Sequence, residues 1–99
     1  VARDALVEVD YRVRRRRYHD TTILVRRTNY VELDDLSDSV WLACEMGGTV
    51  GDVIEAVADR QRLPLGDAVG AVVVTLERFR ALGFLTYISA AGLSGMSGA

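Results

Sequence analysis

The chain has 99 residues, 49% of them hydrophobic and 26% charged, which suits one domain with a modest single core and leaves little room for two. Twelve arginines, no lysine and fourteen acidic residues leave a net charge of −2, which excludes a strongly basic nucleic-acid binder and an acidic solvating tail. The single cysteine, Cys44, excludes a disulfide framework within the monomer, and with no apolar run of membrane-spanning length and no signal-peptide pattern the expectation is a cytoplasmic protein.

Charge is unevenly spread from the start of the chain. Residues 1 to 30 hold eight arginines against four acids, a net of +4, whereas residues 31 to 99 hold four arginines against ten acids, a net of −6. The concentrated stretch is Arg12 and Arg14 to Arg17, interleaved with Tyr11, Val13 and Tyr18. It reads as a solvated edge strand, because charge on an edge discourages unwanted pairing. The sharper reading is an electrostatic landing site for an acidic peptide or partner protein, with a nucleic acid the weaker candidate.

Three strands are expected before residue 34: Tyr11 to Tyr18, Thr21 to Thr28, and Asn29 or Tyr30 to Leu33. All are rich in β-branched and aromatic residues, with His19-Asp20 and Thr28-Asn29 as the turns. Beyond that point the apolar period becomes helical. Asp34 or Asp35 caps a first helix that carries Leu36, Val40, Trp41 and Cys44 on one side and ends at Gly47-Gly48. Thr49, with Asp52 three residues on, opens a second helix through a short capping box, and Val50, Val53, Ile54, Val57 and Ala58 form its apolar face.

The polar break Arg60-Gln61-Arg62 and Pro64 end that helix. A third runs from about Leu65 to Leu82, with Val69, Val72, Val73, Leu76 and Phe79 as its buried stripe and Gly83 as its stop. Phe84 to Ile88 then reads as a short extended segment, and residues 89 to 99 as a mobile Gly/Ser/Ala tail. The predicted architecture is therefore one α+β domain over residues 1 to 88, a three-stranded antiparallel sheet followed by three helices. The helix pair around the Arg60 to Gly66 connection gives it a winged helix-turn-helix character.

The run Tyr30-Val31-Glu32-Leu33-Asp34, then Val40-Trp41, then Gly48-Thr49-Val50 leading to Asp52-Val53-Ile54, and last Leu76 to Leu85 closing in Ala81-Leu82-Gly83-Phe84-Leu85, resembles the PqqD family. Asp34 stands where that family usually has Asn, and Phe84 where it often has Leu; both keep the physics of a helix cap and a core residue. The resemblance covers roughly residues 11 to 86. It implies a leader-peptide recognition domain serving ribosomally made, post-translationally modified peptides. In that family the precursor's leader binds as an extra strand beside the third strand, in the groove formed with the third helix. Its core region is then presented to a modifying enzyme such as a radical-SAM maturase or a leader peptidase. No catalytic residue and no cofactor comes with the resemblance.

Residue chemistry agrees with that mechanism. A short strand placed last before the helices, Tyr30, Val31, Glu32 and Leu33, can leave one edge of backbone donors and acceptors open to a peptide. The flank of the third helix offers Val72, Thr75, Phe79 and Leu82, with Arg78 at the rim; the competing reading is that Val72, Phe79 and Leu82 pack under the sheet as core.

An enzyme is not expected. His19, the one histidine, lies in a predicted turn, Cys44 lies on an apolar helix face, Gly47-Gly48-Thr49 lacks the lysine and spacing of a phosphate loop, and Asp34, Asp35 and Asp38 lack calcium-loop spacing. The alternative function is a winged-helix DNA-binding regulator, disfavoured because Glu77 and Asp67 share the third helix with Arg78 and Arg80. Homodimerisation is left open.

Overall fold

A computed structural model describes residues 2–89; apart from Ser89, the predicted tail lies outside them. Five strands and three helices follow in the order β1 (Leu6–Val9), β2 (Arg14–Tyr18), β3 (Thr21–Arg26), β4 (Asn29–Leu33), α1 (Asp35–Glu45), α2 (Val50–Gln61), α3 (Leu65–Ala81) and β5 (Leu85–Ile88). The result is a small α+β fold in which β2, β3 and β4 make the expected three-stranded antiparallel sheet, order β2-β3-β4.

Two features depart from the predicted order. A strand, β1, precedes the three that were expected, and it pairs antiparallel with β5, Leu6 opposite Ile88 and Val9 opposite Leu85, as a separate two-stranded ribbon. The helices are therefore followed by a strand of a second sheet. The second hairpin turn also falls one residue earlier than expected, on Arg27-Thr28, with Arg27 at φ 56° and Asn29 already within β4. The first hairpin turns on His19-Asp20 as expected, with His19 at φ 57°.

Both helix starts form as their residue types dictate. The Asp34 carboxylate accepts from the Ser37 backbone N–H at 2.8 Å. Thr49 Oγ1 accepts from the Asp52 N–H at 3.1 Å while Asp52 Oδ2 accepts from the Thr49 N–H at 3.0 Å, a reciprocal box that satisfies two otherwise orphaned donors. Gly48 makes that box sterically feasible. It sits at φ +112°, and a Cβ there would come within 2.8 Å of Asp52 Oδ2.

The N-terminal segment is stitched onto this loop: Val7 N–H donates to the Gly48 carbonyl, Val50 N–H to the Ala5 carbonyl and Gly51 N–H to the Arg3 carbonyl, each at 2.9 Å.

The core lies between the helices, the ribbon and one face of the β2-β3-β4 sheet. Trp41, Phe79, Phe84, Leu24, Ile54 and Leu76 are its largest fully buried side chains. Trp41 meets Phe79 edge to face with ring centroids 5.6 Å apart, an arrangement that adds about 0.5–1.5 kcal/mol to the burial itself. On α3 the buried positions are Ala68, Val72, Thr75, Leu76 and Phe79. Val69 and Val73, expected in the stripe, are only half-buried. Alternation along the sheet sets its two faces. Leu24, Val31 and Thr22 point inward and are buried, and Arg15, on the same face, reaches α1 to form a two-pronged ion pair with Asp38, Nε to Oδ1 at 2.7 Å and Nη2 to Oδ2 at 2.8 Å.

Candidate functional site at the β4 edge

β4 hydrogen-bonds to β3 on one side and to no strand among the described residues on the other. Along it Val31 faces the core, Leu33 is half-buried, and Tyr30 and Glu32 are exposed. Asp34 then turns the chain into α1. Where β4 ends there is an open depression of about 500 Å³ lined by Asp20, Thr21, Glu32, Leu33, Asp34, Ser37 and Arg78. The depression thus joins the first hairpin turn, the end of β4, the start of α1 and the C-terminal half of α3.

Its chemistry is polar. Three carboxylates, those of Asp20, Glu32 and Asp34, share the lining with one guanidinium, that of Arg78. The Asp34 carboxyl is held below its ordinary range chiefly by the Ser37 backbone N–H, then by the Ser37 side chain, with Arg78 adding a smaller attraction. The ionised Asp34 therefore serves as the α1 cap, with its negative charge at the helix N-terminus. Such a surface suits a main chain, which offers donors and acceptors alike, better than it suits an apolar ligand.

Of the nine residues expected to form a peptide groove, Glu32, Leu33 and Arg78 meet in this depression. Tyr30 stands on the outward face of the sheet, 66% exposed. Val31, Val72 and Phe79 are core, with Val72 and Phe79 fully buried. Thr75 is also buried, and its hydroxyl donates to the Ala71 carbonyl one turn back, at 2.9 Å. Leu82 packs half-buried against the core margin. α3 therefore contributes Arg78 to the site, while its apolar stripe is spent on the core. Sequence reasoning placed Asp34 as a cap but not as a lining residue, and missed Ser37, Asp20 and Thr21. The cap itself was the available signal, since a capping Asp directly after an edge strand has to sit at that strand's end.

Of the other chemistry-bearing groups, Asp10 is occupied and Cys44 is buried. A smaller depression of about 250 Å³ below the β1–β5 ribbon contains Asp10. The Asp10 carboxylate already accepts from the Arg12 backbone and guanidinium, and it also lies 3.2 Å from Arg26 Nε, in a contact that is ionic because the N–H is misaligned. Cys44 is buried, and burial, with Glu45 beside it, pushes its thiol up to about 12. His19 lies exposed in its turn. Among the described residues no group of three or more His, Cys, Asp or Glu side chains is placed to hold a metal ion, and no helix is long and apolar enough to cross a membrane. No family model, curated protein or solved structure matches the chain.

Proposed function

We propose that this chain is a non-catalytic, PqqD-like peptide-binding protein that captures the leader of a ribosomally made precursor by strand addition along β4 and presents it to a modifying enzyme. The observation that carries this reading is the unpaired edge of β4 running into a depression whose opposite wall is Arg78 of α3. Strand addition needs such an edge for main-chain bonds and a neighbouring wall to choose among side chains. The resemblance of residues 11 to 86 to that family supports the same assignment and gives the partner's class, a radical-SAM maturase or a leader peptidase. A protein of this kind works where precursors are made, in the cytoplasm.

Hydrogen exchange measured with and without a synthetic leader tests the reading, the leader being taken from a short reading frame beside the gene. Added leader should slow exchange at Tyr30 to Leu33 while leaving Arg14 to Tyr18 unchanged. Affinity should fall between micromolar and nanomolar, about −8 to −12 kcal/mol. Arg78→Glu, an exposed substitution, should weaken binding while the chain stays folded, as circular dichroism checks. Protection that appears on β2 instead, or binding indifferent to Arg78→Glu, would overturn the β4-edge assignment.

A further inference from the structure

The sheet's second face meets the β4 site only through Glu32, which also lines the depression. Pairing fixes which side chains share it: Arg14 lies opposite Val25, and Val25 opposite Tyr30; Arg16 lies opposite Ile23, and Ile23 opposite Glu32. These two rows point away from the buried row of Leu24 and Val31. Ile23 and Val25 are half-exposed, while Arg14, Arg16, Tyr30 and Glu32 are exposed. The face is thus an apolar strip in the middle strand, bordered by guanidinium groups on β2 and by a tyrosine and one carboxylate, Glu32, on β4.

Ion pairing sharpens the contrast between the two faces. Arg15, on the inner face, is neutralised by Asp38. On the outer face Arg14 donates to the Tyr11 carbonyl, at 2.8 Å, which fixes the guanidinium, and among the described residues it has no ion-pair partner. Arg16 has no ion-pair partner among the described residues. An apolar strip beside two such guanidinium groups is complementary to an acidic, apolar-centred protein surface.

A second copy of this chain fits poorly. Two copies stacked β2 on β2 would set arginine against arginine, and stacked β2 on β4 each would offer the other's two arginines a single carboxylate, Glu32. A head-to-tail contact with the acidic helical side would leave both ends open and grow filaments unless its rotation closed a ring. We infer that the outer face of the β2-β3-β4 sheet is a docking surface for a partner protein that presents an apolar stripe flanked by carboxylates. Its charge stands on Arg14 and Arg16 of β2, away from the peptide edge, so either surface can fail without the other.

A synthetic amphipathic helix, with a leucine and valine stripe flanked by glutamates, is a suitable probe. A helix cannot extend a sheet edge, so its binding reports the face and not β4. Titration should show binding that falls at least about tenfold when the peptide's glutamates become glutamines. A loss of similar size should follow Arg14→Glu combined with Arg16→Glu, and a smaller one Arg16→Glu alone, while Arg60→Glu on α2 leaves binding unchanged. Amide shifts should map to Arg14 to Tyr18 and to Ile23 and Val25. Circular dichroism of each variant checks the fold, and the single variant keeps the test alive if the double one unfolds. No binding, binding indifferent to Arg16→Glu, or random-sequence duplex DNA held more tightly than the helix by the same residues would overturn the assignment. Leader titration of the same variants reads the β4 edge independently.

Discussion

Asp10 shows how a single residue organises a junction. It ends β1, and its backbone N–H donates to the Phe84 carbonyl at 2.9 Å. Its carboxylate gathers Arg12 and lies against Arg26 from the other sheet. The Arg12 guanidinium, followed by the Arg12 backbone N–H, holds the Asp10 carboxyl down from 3.8 to about 2. Because the folded value is depressed, the charged form favours folding. Its contribution is fully present above about pH 4 and is lost as pH falls through about 2. Asp10→Asn should therefore lower the unfolding midpoint at pH 6, and the difference from the parent should close as the pH approaches 2. Urea unfolding across that range checks it, and a difference constant with pH would show that the carboxylate is not the source. Cys44 behaves in the opposite way. With its thiol buried and pushed up to about 12, it should react with a disulfide reagent at pH 8 only as fast as the protein opens, so that denaturant accelerates the reaction.

The elements that were legible in the sequence are those defined by contacts within a few residues. α1 and α2 begin on caps that satisfy their own backbone, and their apolar faces, Val40, Trp41 and Cys44 on one, with Leu36 half-buried, and Val50, Val53, Ile54, Val57 and Ala58 on the other, are buried as the spacing requires. β1 was not legible, although Val7-Glu8-Val9 does alternate. Four residues carry little periodic signal, and what makes them a strand is β5, nearly eighty positions away. The groove suffered from a different ambiguity: periodicity showed that Val72 and Phe79 belong to an apolar stripe but not which neighbour covers it, and both are core. The end of α2 was expected at a polar break, and there Arg62 takes the left-handed conformation at φ 54°. A side chain pays about 1–2 kcal/mol for that conformation, whereas glycine adopts it freely but is entropically costlier by about 0.5–1 kcal/mol. Arg62→Gly should therefore stabilise the protein by about 0.5 kcal/mol, read as a higher urea midpoint with an unchanged slope.

At the scale of the whole molecule, the uneven charge of the sequence becomes a difference between faces. The arginine-rich strand is an edge strand, as its composition suggested, yet its alternation divides it. Arg15 turns inward to tie the sheet to α1 through Asp38, while Arg14 and Arg16 remain outside. α3, the helix that a DNA-binding reading would place in a groove, has little to offer a base edge. Its buried stripe runs through Val72, Leu76 and Phe79. Arg80 is held by Glu77, Nε to Oε2 at 2.7 Å, and Glu77 in turn accepts from the Tyr87 hydroxyl at 3.1 Å. Arg78 lines the β4 depression among three carboxylates. Reading bases requires side chains free to reach donors and acceptors on an electropositive helix, whereas the free guanidinium groups here stand on a sheet whose chain carries a net charge of −2. Duplex DNA should accordingly bind weakly, equally to random and genomic fragments, and lose most of its affinity between 50 and 200 mM salt. Anisotropy titrations at several salt concentrations measure this. Arg16→Glu should reduce the residual binding more than Arg80→Ala does, because Arg80 is already committed to Glu77. Sequence-selective binding that survives physiological salt and depends on Arg78 or Arg80 would instead make α3 a recognition helix and displace the peptide-binding reading.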